Sequence, residues 1–170
     1  LRIAFDNIKY KSKYIKGVEL AIENGIIKLS NYILFNYTDS PEDFWERLHI
    51  NIEINSKYID QGIKIYSFPM KYIPLNNRNR NHVGHKWNWY FIRTIQRILN
   101  VVKGPVMPGS EFFYRAFGQD IEEFKRILYM PEKILLFRGR SPQADEIAWI
   151  SQFEALTKNE KTELLEIINN

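Results

Sequence analysis

The stretch IKIYSFPMKYIPLNN (residues 63–77) opens as an apolar run and then carries two prolines, Pro69 and Pro74, with Lys71 between them. Its first half is rich in Ile, Tyr and Phe, the residue types that suit a pleated, packed surface. Pro69 has no N–H to give to a ladder, so a paired interior strand is expected to end there. SFPMKYIP is apolar with single polar insertions, the composition of a pocket wall with a few orienting groups.

Two earlier runs share its character. LRIAFDN (1–7) and YILFNY (32–37) are short and apolar, and the centres Phe5, Phe35 and Tyr66 lie about 30 residues apart, the length of a strand and its crossover helix. Without clear in/out alternation, such runs predict parallel strands covered on both faces. Between them, Tyr14, Ile15, Val18, Ala21 and Ile22 mark one face of a helix over 11–23, with the glycine of NGI (24–26) to end it. DSPED announces the next helix. Ser40 is placed as N-cap and Pro41 as the first helical residue, with Glu42 and Asp43 in an acidic first turn and Phe44, Leu48 and Ile52 as its buried stripe. Residues 1–70 thus predict β-α-β-α-β.

The second half predicts helices. Phe91, Ile92, Ile95, Ile98, Leu99 and Val102 form an amphipathic stripe closed by KGP (103–105). A short helix over 109–118 is expected with Ser110 as cap, and another over 120–131 with Asp120 as cap. KILLF (133–137) fits a strand or a helix equally well. Ser141 onward is helical in pattern, and TKNE (157–160) has capping-box spacing.

The chain has 170 residues, 45% of them hydrophobic, enough for one buried core, and no apolar run has the roughly 20 residues of a membrane helix. With zero cysteines there is no disulfide framework and no thiolate-bound metal. A cytoplasmic location follows from these as an expectation. The net charge of +4 suits an anionic ligand without pointing to nucleic acid.

In a parallel βα array, ligands sit beyond the carboxyl ends of the strands. The first end offers Asp6 and Asn7, which a simple turn also explains. The second offers Asn36, Thr38 and Asp39, where helix capping accounts for Asp39. The third offers Ser67, Phe68, Pro69, Met70, Lys71 and Tyr72, which a bland loop explains less well. NNRNRNHVGHKWNWY (76–90) adds Arg78, Arg80, His82, His85, Lys86, Trp87 and Trp89, a set able to clamp phosphate and stack bases, or simply a solvated basic loop. No Cys or acidic pair joins His82 and His85, so no metal site is expected.

Taken together, the segments LRIAFDN…YILFNYTDSPEDFWERL…IYSFPMKYIPL…HVGHKWNWYFIRTIQRIL…EFFYRAFG…EEFKRILYMP resemble the carboxyl-terminal half of certain bacterial radical S-adenosylmethionine proteins. The resemblance covers about residues 1–140 and rests on linked segments, with no single invariant motif. It implies an α/β fold: residues 1–75 as the last three βα units of a partial TIM-like barrel, and 76–170 as a helical extension packed on it in one structural domain. It also implies S-adenosylmethionine and a [4Fe–4S] cluster in an intact oxidoreductase parent. Asn36, Asp39, Ser67, Phe68, Pro69 and Lys71 would then face the cofactor, and Asp6, Asn7, Tyr72, Arg78 and Arg80 the substrate side.

The family holds its cluster through CxxxCxxC, and this chain has no cysteine, so it is expected to be inactive by itself. A start on a strand, without Met, fits a piece of a longer enzyme whose partner is the missing half of the barrel. The unpaired edge of the first strand would then favour self-association. The alternative is a non-catalytic module that uses residues 78–89 to grip RNA or another anionic partner, or that docks through the edge at residues 1–7.

Overall fold

A computed structural model describes residues 1–76, 80–138 and 144–169. Strands β1 (Arg2–Ala4), β2 (Lys28–Phe35) and β3 (Lys64–Lys71) form one parallel sheet in the order β1-β2-β3. Helix α1 (Lys11–Glu23) joins β1 to β2, and α2 (Pro41–Lys57) joins β2 to β3. Because each crossover steps to the next strand in the same direction, right-handed connections put both helices on one face. Packing bears this out: Tyr14, Val18 and Ala21 of α1 and Ile50 and Ile54 of α2 share one cluster with Phe5, Leu29 and Ile65.

The odd-numbered residues of the strands face these helices. In β2, Leu29, Asn31, Ile33 and Phe35 are buried, while Ser30, Tyr32 and Leu34 are half-buried. Coverage of both faces, expected from the unbroken apolar runs, is therefore not found. The second face carries Tyr32, Leu34, Tyr66, Phe68 and Met70, and none of these belongs to either hydrophobic cluster. The runs read as continuous because the open face is aromatic and aliphatic too.

β2 starts four residues earlier than its apolar run suggests, at Lys28 against Tyr32. The segment KLSN lies outside that run, yet its side chains alternate between faces. β3 also runs further than expected, past Pro69 to Lys71. The Lys64 N–H donates to Ile27 O and the Tyr72 N–H to Phe35 O, so even residues of β3 point their donors at β2 and odd residues point outward. Pro69 sits in the outward set of an edge strand, where no ladder bond is lost.

That outer edge is closed by other means. The Asn55 side chain accepts from Ile65 N–H at 2.7 Å and donates to Ile65 O at 3.0 Å, while Val106 exchanges both backbone bonds with Ser67. The β1 edge is less protected, with Arg2 and Ala4 exposed.

Beyond β3, α3 (Trp89–Val101), α4 (Ser110–Phe117), α5 (Ile121–Leu128), α6 (Glu132–Leu135), α7 (Ala144–Ala155) and α8 (Lys158–Asn169) complete the described chain. Ser40 and Asp43 form the predicted capping box of α2, Asp120 caps α5, and Thr157 and Glu160 exchange capping bonds before α8. Ser110 is the first residue of α4 and not its cap, a position taken by Gly109. KILLF resolves in favour of a helical turn. The extension packs beside α2: Phe44, Trp45 and Leu48 share a cluster with Ile33, Phe35, Trp87 and residues of α3–α6. Among the described residues no helix is long and apolar enough to cross a membrane.

Candidate functional site

Helix α2 lays a polar ridge along the sheet. Arg47, Asn51 and Asn55 recur every four residues, one turn apart, beside the apolar stripe of Phe44, Leu48 and Ile52, and all three are buried. Each meets a different level of the strands. Asn55 satisfies the edge of β3 at Ile65, as described above. Asn51 donates to Asn31 Oδ1 and Ser67 Oγ, both at 2.8 Å, and accepts from the Tyr14 hydroxyl at 2.6 Å. Asn31 in turn donates to Ile3 O at 3.1 Å. Burial pushes the Tyr14 pKa well above its ordinary value, against the smaller opposing effect of the Asn51 hydrogen bond.

Arg47, at the top of the ridge, ties the carboxyl ends of β1 and β2. Its guanidinium donates to Phe5 O at 2.9 Å, Leu34 O at 2.8 Å and Asp43 O at 3.1 Å, and pairs with Asp39 at 2.6 Å. The β1–β2 ladder ends at this level, and the Leu34 N–H goes to the Asp6 carboxylate at 2.9 Å. Both partners of the Arg47–Asp39 pair are almost wholly buried, at 0% and 3% exposure. Burial pushes the Asp39 carboxyl up and the Arg47 guanidinium down, and their mutual attraction opposes both shifts. Removing one partner of such a pair typically costs ~3–5 kcal/mol, because the other charge is left buried alone.

The loop at 82–87 is strapped over the end of β2. Asn36 is left-handed at φ 68°, a conformation asparagine tolerates. Its amide donates to Tyr72 O at 3.2 Å and His82 O at 3.0 Å and accepts from Gly84 N–H at 2.7 Å. A Cβ on Gly84 would stand 2.7 Å from Tyr37 O, so only glycine lets the strap lie this close. Trp87 enters the core and donates its indole N–H to Asp39 O at 2.9 Å.

These contacts sort the residues expected to face a cofactor or substrate. Asn36 and Asp39 are brought together, but their polar atoms are committed to the strap and to Arg47. Ser67, Pro69 and Lys71 lie on the helix-covered side: Ser67 is bound by Asn51, while Pro69 and Lys71 border a groove against α3. Asn7 spends its side-chain oxygen capping the turn at 8–10.

Phe68, Asp6 and Tyr72 fall on the open side by strand alternation, each with its own neighbours. Phe68 lies against Tyr32 with ring centroids 5.6 Å apart, and Tyr72 packs against Tyr37 at 4.4 Å and His82 at 5.4 Å. Asp6 is exposed at the rim, its backbone following β1. Arg80 is exposed beside Lys71, whose ammonium reaches Arg80 O at 3.4 Å, and Arg78 lies outside the described residues. The basic and aromatic residues of 80–89 do not form one face, since Trp87 is core and Trp89 lies under the Lys71 ammonium.

What results is an aromatic floor with a tyrosine, histidine and carboxylate rim. It offers planar surfaces for stacking, hydroxyl groups for hydrogen bonds and one anion. It offers no nucleophile–base pair and, among the described residues, no cluster of three metal-ligating side chains.

Arg47, Asn51 and Asn55 were absent from the sequence-derived candidates. A four-residue polar repeat beside an apolar stripe is the signal that marks them. Comparison with protein-family models, with curated proteins and with solved structures gave no match.

Proposed function

We propose that the chain is the carboxyl-terminal part of a radical S-adenosylmethionine oxidoreductase, and that its open sheet face is one wall of a partial TIM-like barrel that encloses the cofactor and substrate. The observation that carries this reading is the sheet itself. Its parallel strands run in sequential order with both crossover helices on one side, and on its other side Tyr32, Leu34, Tyr66, Phe68 and Met70 are half-buried to exposed and belong to neither hydrophobic cluster. In a barrel that second side is the interior.

The fit to the two cofactors differs. With zero cysteines the chain has no thiolate for an iron–sulfur cluster, and no step through one is assigned to it. S-adenosylmethionine is better matched. Tyr32, Tyr66 and Phe68 suit a planar base, and Asp6 at the rim suits ribose hydroxyls or a sulfonium cation. When bound, S-adenosylmethionine supplies the radical chemistry, and the work of this chain is to hold and orient it and to exclude water. Asn36, Arg47 and Asp39 contribute by fixing the strand ends from which that rim is built.

The test uses the reading frame that encodes the chain, extended upstream of Leu1. The extended protein is purified without oxygen, loaded with iron and sulfide, reduced and given S-adenosylmethionine. A CxxxCxxC motif and release of 5′-deoxyadenosine are expected. Absence of the motif, or of the nucleoside from a protein that carries it, overturns the reading.

A further inference from the structure

On the other side of the sheet from the open face, β3 and α3 border a groove of about 380 Å³. Phe35, Pro69 and Leu99 make its apolar floor, and Lys71, Gln96 and Asn100 stand at its rim. The Lys71 ammonium lies 4.2 Å above the Trp89 ring, next to the exposed Arg80. Arg93 is exposed on the same stripe of α3, one turn from both Trp89 and Gln96. Burial, and then the charge of Arg80, push the Lys71 pKa down. Among the described residues, no carboxylate lies within ion-pair distance of Lys71, Arg80 or Arg93. Lys71, with Arg80 beside it, thus brings positive charge to one end of an apolar recess, and no described carboxylate pairs with either.

We infer that this groove is a binding site for a small organic anion, a carboxylate or sulfonate on an apolar body. The headgroup would lie at the Lys71 end and the body on Pro69 and Leu99, with the amides of Gln96 and Asn100 along the rim. Size and composition agree with such a ligand. Pockets of a few hundred Å³ hold small molecules, and an apolar floor with few convergent polar groups fixes their orientation. Charge complementarity selects an anion, since Lys71 is the charged residue of the lining and Arg80 beside it adds a second positive charge at that end of the groove. The site is separate from the open face, because Pro69 and Lys71 point to the opposite side of the sheet from Phe68 and Met70. It stands or falls independently of the proposed enzymatic parent.

The probe is 1-anilinonaphthalene-8-sulfonate, a sulfonate on an apolar body, titrated by its fluorescence against the chain at low concentration. Its neutral relative N-phenyl-1-naphthylamine reports apolar affinity alone. Three variants locate the binding. Lys71→Met removes the central charge, and Gln96→Trp fills the groove from an exposed helix position, where folding tolerates the change. Phe68→Lys alters only the open face.

Saturable binding is expected, weaker by about tenfold in Lys71→Met, as for loss of one charge-assisted contact, and by a comparable factor in Gln96→Trp. Phe68→Lys should leave it unchanged. Equal affinity for the neutral relative overturns the inference. So does loss of binding in Phe68→Lys alone, or retention of full affinity in both groove variants.

Discussion

Tyr14 shows how much of the interior depends on single polar contacts. Its hydroxyl is the outer end of a buried chain that runs through Asn51 to Asn31 and Ser67, and its ring stacks on Phe5 at 4.2 Å. Burial holds the phenol neutral, so the folded protein keeps this proton where an unfolded chain loses it. The sign follows directly. With the folded pKa raised, the contribution to stability is complete below the unfolded value near 10 and declines as pH rises beyond it. Tyr90 and Tyr129 are shifted upward by burial as well and act in the same direction. The share of Tyr14 is isolated by Tyr14→Phe. At pH 7 this variant should lose ~1 kcal/mol, the worth of one internal hydrogen bond. Between pH 9 and pH 11 its urea midpoint should fall less steeply than that of the parent chain. Parallel slopes would mean that Tyr14 ionises as freely in the fold as outside it.

At the scale of elements, β3 shows how far sequence carries the fold and where it stops. The alternation of strands and helices over residues 1–70 was legible because each element has its own period and its own caps. α1 begins and ends where its stripe and Gly25 put it, and Ser40, Asp120 and Thr157 cap as their spacing indicates. Two things were not legible. The first is which way a backbone N–H points at the sheet edge, since that depends on register with β2, and register left no mark near Pro69. The second is the fate of polar strand ends. Asn36 and Asp39 stand out in sequence, but His82, Gly84 and Trp87, which use them, lie more than forty residues away, and Arg47 looks like any surface charge on a helix. The register can be tested through prolines. Pro69→Ala restores an N–H that points away from β2 and should change stability by less than ~1 kcal/mol. Phe68→Pro removes a donor aimed at β2 and should cost ~3 kcal/mol or more in urea denaturation. Similar costs at both positions would contradict the register.

For the whole molecule, the decisive asymmetry lies between the two sides of the sheet. One side is buried under α1, α2 and the helical extension, in two hydrophobic clusters that α2 links, since Phe44 and Leu48 belong to one and Ile50 and Ile54 to the other. On the other side Tyr32, Leu34, Tyr66 and Phe68 are half-buried and belong to neither cluster, and Met70 is 51% exposed. Beside it, the short edge at Arg2 and Ala4 is unprotected, in contrast to the edge of β3, where Asn55 and Val106 occupy the backbone groups. Contiguous apolar surface next to a free strand edge drives association. The isolated chain should therefore form dimers or larger species as concentration rises in sedimentation velocity. Phe68→Lys with Met70→Lys puts two charges on the open face without touching either buried cluster, and should return the chain to a monomer with unchanged helical signal in circular dichroism. In a longer protein whose own strands cover this face, the same pair would be buried and should instead prevent folding. A parent chain that remains monomeric at high concentration would mean that Tyr32, Tyr66 and Phe68 are adequately solvated as they stand, and that the open face calls for no partner.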